Sequence, residues 1–103
     1  MPENDLPSLS GKEYLIMNLL ISSREPMYGL SLVEKSDGAL KRGTVYVTLS
    51  RLEEKGYISS KREEERPGVA MPRRLYRPTG QGAKVFNALS SVGGRAWLRE
   101  VMA

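Results

Sequence analysis

The sequence contains no cysteine and no histidine. The first absence excludes a disulfide framework, a thiolate nucleophile, a thiolate zinc site and an iron–sulfur cluster. The second removes the imidazole base, the Ser-His-Asp relay and the ordinary zinc enzyme site. Aspartate is scarce as well: only Asp5 and Asp37 occur, with no pattern linking them. Nothing in the residues indicates an enzyme, a metal centre or a required cofactor. Long apolar runs are also missing. The longest, Tyr14 to Ile21, is interrupted by Asn18, whereas a bilayer-spanning helix takes about 20 residues. The acidic start, Met1-Pro2-Glu3-Asn4-Asp5, lacks the basic-then-apolar order of a signal peptide. A cytoplasmic protein with no membrane partner is expected.

What is present is charge, unevenly placed. The 103 residues carry 16 Lys plus Arg against 12 Asp plus Glu, a formal charge of +4. Residues 1–40 are net −3, residues 41–77 net +5 and residues 78–103 net +2. A basic middle segment suggests a polyanion partner, because Lys and Arg that neutralise phosphates release condensed counterions. A solvated surface of mixed charge is the plainer alternative. The length suits one domain, and a chain this short gains from burying further surface in a dimer.

Local signals give the order of elements. Residues 1–9 read as a lead-in with Pro2 and Pro7. Ser10 and Glu13 stand at capping-box spacing, and Leu15, Ile16, Leu19 and Leu20 recur with helical period, so a helix is expected over about 11–22. Ser22 to Pro26 form a turn. A shorter helix follows from about Met27 to Lys35, with Leu32 and Val33 inward, and Ser36-Asp37-Gly38 ends it. A third helix begins near Arg42 to Thr44 and stops before Gly56, a residue suited to the left-handed position after a helix. Lys55 suits the negative end of that helix.

Tyr57 to Arg62 and Arg73 to Arg77 have strand character. The segment between them, from Glu63 to Pro72, carries Pro67-Gly68, so the two strands make a hairpin with a long tip. Thr79 is a good cap for a last helix starting at Gly80. Val85, Phe86, Leu89 and Val92 line one side of it, and Gly93-Gly94 weakens or kinks it. The domain plan is a lead-in over 1–9, a helical and hairpin module over 10–78, and a C-terminal helix over 79–103.

The expected fold is mainly α with a small β-hairpin, in the order α-α-α-β-β-α of a winged helix-turn-helix. In that module the third helix enters the DNA major groove and the hairpin lies on the backbone or minor groove. The third helix has the necessary two sides. Val45, Leu49 and Leu52 form a narrow apolar stripe at i, i+4, i+7. The opposite side carries Gly43, Val47, Ser50, Arg51 and Glu54, with Thr44 and Tyr46 on the flanks. Arginine can reach guanine, hydroxyls can bond bases or phosphates, and valine can touch a thymine methyl. A plain amphipathic surface helix would carry more Lys and Glu there.

The wing region adds Lys61, Arg62, Arg66, Arg73, Arg74 and Arg77. Strand alternation puts Arg73 and Arg74 on opposite faces, so some of these cations point away from DNA. Glu63, Glu64 and Glu65 would repel phosphate unless they sit outward at the tip or pair with wing arginines.

The run from Arg42 to Ile58 resembles the recognition-helix signature of the PadR family of bacterial transcriptional regulators. In that signature Gly43-Thr44 and Tyr46 precede Leu49, Arg51-Leu52-Glu53 and Gly56, followed by the apolar pair Tyr57-Ile58. Tyr28-Gly29 matches the family's Tyr-Gly, and Tyr76, Thr79 and Gly82 match its wing exit. The similarity spans about residues 9–90. The sequence departs from the pattern at Val47, where proline is common, at Ser50, where a basic residue is common, and at Pro78, where an aliphatic residue is common.

The resemblance implies a homodimeric repressor that binds a palindromic double-stranded operator and dimerises through its last helix. It implies that Thr44 and Tyr46 touch the phosphate backbone or groove and that wing arginines hold phosphate. The candidate DNA-binding residues are Lys41, Arg42, Thr44, Tyr46, Val47, Ser50, Arg51, Lys61, Arg62, Arg73 and Arg74. Each has a plainer alternative: Tyr46 packing on the wing, Tyr28 lying between helices, Arg51 pairing with Glu53 or Glu54. The candidate dimerisation residues are Val85, Leu89, Val92, Ala96 and Trp97, the first four spaced as a two-helix seam. Packing on the chain's own domain is the alternative. Trp97 either stacks a small flat aromatic effector at the interface or closes it hydrophobically. The rival functions are a winged-helix module that binds protein, and a specialised, for instance clock-related, regulator without an effector.

Overall fold

A capping box starts the first helix. In the computed structural model, which describes residues 8–63, 68 and 73–91, the Ser10 hydroxyl accepts from the Glu13 amide at 3.1 Å. The Glu13 carboxylate accepts from the Ser10 amide at 2.8 Å. Helix α1 spans Gly11–Ser23 and ends at Arg24, which takes the left-handed conformation (φ 60). Tyr14, Leu15, Ile16, Met17 and Leu20 are all buried. This apolar width makes α1 the centre of the core rather than a surface helix. Leu9 is buried as well, so the expected lead-in over 1–9 already contributes a core residue at its end.

The next two residues correct the expected second helix. Met27–Tyr28 form a short strand, β1, and helix α2 covers only Gly29–Lys35. The cause is a long-range pairing: Met27 faces Tyr76 and Tyr28 faces Leu75 across an antiparallel ladder. The hairpin therefore becomes a three-stranded sheet. Strand β2 (Ile58–Arg62) and strand β3 (Arg74–Pro78) pair antiparallel, and the order across the sheet is β1-β3-β2.

After α2, Asp37 (φ 53) and Gly38 (φ 92) turn the chain. The Ser36 hydroxyl accepts from the Leu40 amide at 2.9 Å, so this buried polar side chain is satisfied. Helix α3 follows over Arg42–Glu54. Its stripe of Val45, Leu49 and Leu52 is 0% exposed at all three positions, the periodicity read from the sequence. Burial on this scale contributes roughly 1.5–3 kcal/mol per large side chain.

Lys55 does more than balance the end of α3. Its ammonium lies 2.9 Å from the Glu13 carboxylate, so the capping residue of α1 also ties down the C-terminus of α3. Gly56 (φ 83) then turns the chain into the wing.

Helix α4 (Gly80–Ser91) closes the molecule. The Thr79 hydroxyl accepts from the Gly82 amide at 3.0 Å and donates to the Gly56 carbonyl at 2.7 Å. Tyr14 and Phe86 stack at 4.8 Å between ring centroids. Val85 is buried in this same core and Leu89 packs against it. Among the described residues, the expected dimer stripe thus packs on its own domain at Val85 and, in part, at Leu89. Val92, Ala96 and Trp97 lie outside the described residues.

Candidate nucleic-acid interface

The outer side of α3 is open. Lys41, Arg42, Gly43, Thr44, Tyr46, Val47, Ser50 and Arg51 are all exposed. Tyr46 and Val47 stand out because they are large apolar groups at 47% and 53% exposure. Burying such groups on a partner is favourable, and leaving them in water is not. No side chain caps the start of α3 at Lys41, so the positive end of the helix faces solvent beside Lys41 and Arg42.

Tyr46 is held by a glycine. A Cβ built at Gly29 would lie 2.6 Å from Tyr46 Cε1, so the ring rests on the bare backbone at the start of α2. Burial pushes the Tyr76 phenol up from its ordinary range, Glu53 adds to the rise, Arg74 opposes it and Tyr46 adds a smaller push.

The wing divides its cations by face. Register places Arg62 directly opposite Arg74. Two like charges in a cross-strand pair repel, and an anion lying between them would relieve that cost. Arg74 donates to the Ser60 hydroxyl at 3.0 Å, and Ser60 donates to the Glu53 carboxylate at 2.7 Å. This relay joins the wing to the last turn of α3. On the other face, Arg73 lies over the Tyr28 ring at 4.2 Å from its centroid. Its Nε is 3.9 Å from Glu63, and the Tyr28 hydroxyl donates to the same carboxylate.

The two adjacent arginines therefore anchor the wing at two places. Arg73 is already partnered and is the weakest of the predicted phosphate contacts. Lys41, Arg42, Arg51, Lys61 and Arg62 make no ion pair with a described residue. Arg51 pairs with neither Glu53 nor Glu54 among those residues. Tyr28 is half-buried and takes part in the wing anchor. Of the three adjacent glutamates, Glu63 pairs with a wing arginine; Glu64 and Glu65 lie outside the described residues. Sequence reasoning missed Gly29 as the seat of Tyr46, and Glu53 and Ser60 as wing anchors. Only the Tyr28-Gly29 pair had any signal.

Helices α2 and α3 joined by a short turn, with a hairpin of β2 and β3 after them that pairs with β1 from before them, define a winged helix-turn-helix protein. The model of the transcriptional regulator PadR-like family matches residues 16–88, and the chain belongs to that family. Comparison with curated proteins returned no match. Among solved structures, a PadR-like transcription factor from Bacteroides fragilis is similar at 31% identity and a TM-score of 0.69, over 82% of this chain and 81% of that one. A PadR family transcriptional regulator from Eggerthella lenta is similar at 30% identity and a TM-score of 0.64, over 79% of this chain and 72% of that one. A PadR family regulator from Clostridium difficile shares the fold at 24% identity and a TM-score of 0.68, over 88% of this chain and 93% of that one.

Proposed function

We propose that this regulator binds double-stranded DNA sequence-specifically, as a homodimer on a palindromic operator, and represses transcription. The observation that carries this reading is the outer side of α3. It combines exposed Tyr46 and Val47 with the hydroxyls of Thr44 and Ser50 and the guanidinium of Arg51, beside cations that have no ion pair among the described residues. Arg51 reads a base edge in the major groove, Val47 meets a thymine methyl, and Thr44 and Ser50 bond bases or phosphates. Lys41, Arg42, Lys61, Arg62 and Arg74 hold phosphates and set the register. The second copy docks through the C-terminal helix beyond Val85.

Selection of bound duplexes from a random library, followed by footprinting, tests this. The expected result is a two-fold symmetric site with half-sites about one helical turn apart. Failure to enrich any sequence overturns the specific reading. Arg51→Ala is expected to relax preference at one base position by about 1–3 kcal/mol while leaving the fold intact. Unchanged preference in a footprinting competition removes Arg51 from the readout.

One observation favours a second reading. Leu30 on α2 and Tyr46 and Val47 on α3 are exposed, and apolar groups of this size also suit a protein partner. A gel shift on random duplex separates the two. Absence of binding even at low salt favours the protein partner, because non-specific DNA affinity rises steeply as salt falls.

A further inference from the structure

Glu53 stands in the last turn of α3 and is exposed. It lies two turns after Tyr46, on the same flank of the helix. A bare carboxylate close to a phosphate backbone lowers affinity for DNA. This one is not bare. The Ser60 hydroxyl donates to the Glu53 carboxylate at 2.7 Å and accepts from Arg74 Nη1 at 3.0 Å. Among the described residues Glu53 and Arg74 form no direct ion pair, so the hydroxyl stands between the two charges. Serine has one hydroxyl hydrogen. Once Glu53 takes it, the oxygen presents only lone pairs to Arg74. A charged group at each end strengthens such a chain.

Strand register explains why Arg74 turns this way. Its direct cross-strand partner is Arg62, and Ser60 is the diagonal neighbour, two residues toward the base of the wing. Repulsion by Arg62 and attraction to Ser60 both carry the guanidinium toward α3. Ser60, Arg62, Arg74 and Tyr76 share this face of the sheet, and Tyr76, opposite Ser60, is buried. Arg74 gives one donor to Ser60 and makes no other hydrogen bond or ion pair with a described residue. The rest of its fork is available to a ligand.

We propose that Glu53 and Ser60 are positioning residues for DNA. Together they hold the Arg74 guanidinium toward the end of α3, so that the wing presents it to a backbone phosphate in fixed register with the recognition helix. The inference rests on the DNA-binding reading above and gives a role in it to an acid that touches no DNA. A long side chain ordered during folding has less freedom to lose when the duplex binds.

Two measurements test this. The first uses the free protein and reads nitrogen relaxation of the Arg74 Nε–H group. An ordered group is expected in the parent and in Ser60→Thr, which keeps the hydroxyl, and a mobile one in Ser60→Ala and Glu53→Ala. Equal mobility in the parent and Ser60→Ala overturns the proposal, whether or not the protein binds DNA. The second is duplex affinity by fluorescence anisotropy. Ser60→Ala and Glu53→Ala are each expected to weaken binding about fivefold, and Ser60→Thr to restore it. In an Arg74→Ala background neither substitution should weaken binding further. Charge alone predicts the opposite sign for Glu53→Ala, because loss of a carboxylate makes the protein more positive. Parent-like or tighter binding by Glu53→Ala therefore overturns the proposal, as does a Ser60→Ala loss that persists undiminished without Arg74. A parent that binds no duplex overturns the proposed function and, with it, the phosphate as the partner of Arg74; the relaxation data then decide separately whether Glu53 and Ser60 order the side chain.

Discussion

Helix α3 is held at both ends by a glycine, and the two glycines work differently. At its start, Gly29 lies under the Tyr46 ring. At its end, Gly82 of α4 lies against the backbone carbonyl of Tyr57, where a Cβ would come within 2.0 Å of the oxygen. The first contact is with the tip of a half-exposed side chain that can swing outward. The second is with main chain that is itself pinned, because the Tyr57 carbonyl accepts from the Thr79 amide at 3.0 Å. One end of the helix thus carries an adjustable side chain, and the chain just beyond the other end is a close-packed backbone joint.

Substitutions should separate these roles. Gly82→Ala is expected to destabilise the protein by about 1–3 kcal/mol, as overpacking against fixed backbone does; thermal unfolding by circular dichroism measures it. A melting temperature equal to the parent's would mean that the joint yields. Thr79→Ala removes the cap of α4 and the bond to Gly56, with an expected loss of about 1 kcal/mol in urea unfolding. Arg74→Ala breaks the relay through Ser60 to Glu53. It should weaken binding to all duplexes alike and lower the slope of affinity against salt by about 1, and a slope unchanged across salt concentrations would contradict its phosphate role. Gly29→Ala is expected to change stability least, by less than about 0.5 kcal/mol, yet to lower duplex affinity by displacing Tyr46. Parent-like affinity in a fluorescence-anisotropy titration would show that Tyr46 is not a contact.

Much of this arrangement was legible in the sequence because its causes are local. The capping box at Ser10 and Glu13, the stripe of Val45, Leu49 and Leu52, the turn at Gly56 and the cap at Thr79 each depend on residues within a few positions of one another. Strand β1 was not legible. Two residues carry no periodicity, and Met27-Tyr28 is extended only because β3, nearly 50 residues away, supplies its ladder. The same distance hid the anchors of the wing. Glu63 meets Tyr28 across 35 positions, and Lys55 meets Glu13 across 42. The candidate interface was legible as a set of exposed residues on α3. How firmly each is held was not, since Arg73 and Arg74 are neighbours in sequence yet reach different elements.

The dual duty of Glu13 has a further consequence for cooperativity. Its carboxylate is almost wholly buried, and one oxygen serves both the Ser10 amide and the Lys55 ammonium. Fraying of the first turn of α1 therefore releases the residue that caps the end of α3, and loosening of that helix strips a cation from a buried charge. Neither end can open cheaply alone. In hydrogen exchange, amides at the start of α1 and at the end of α3 should lose protection together, as one opening unit that spans the molecule.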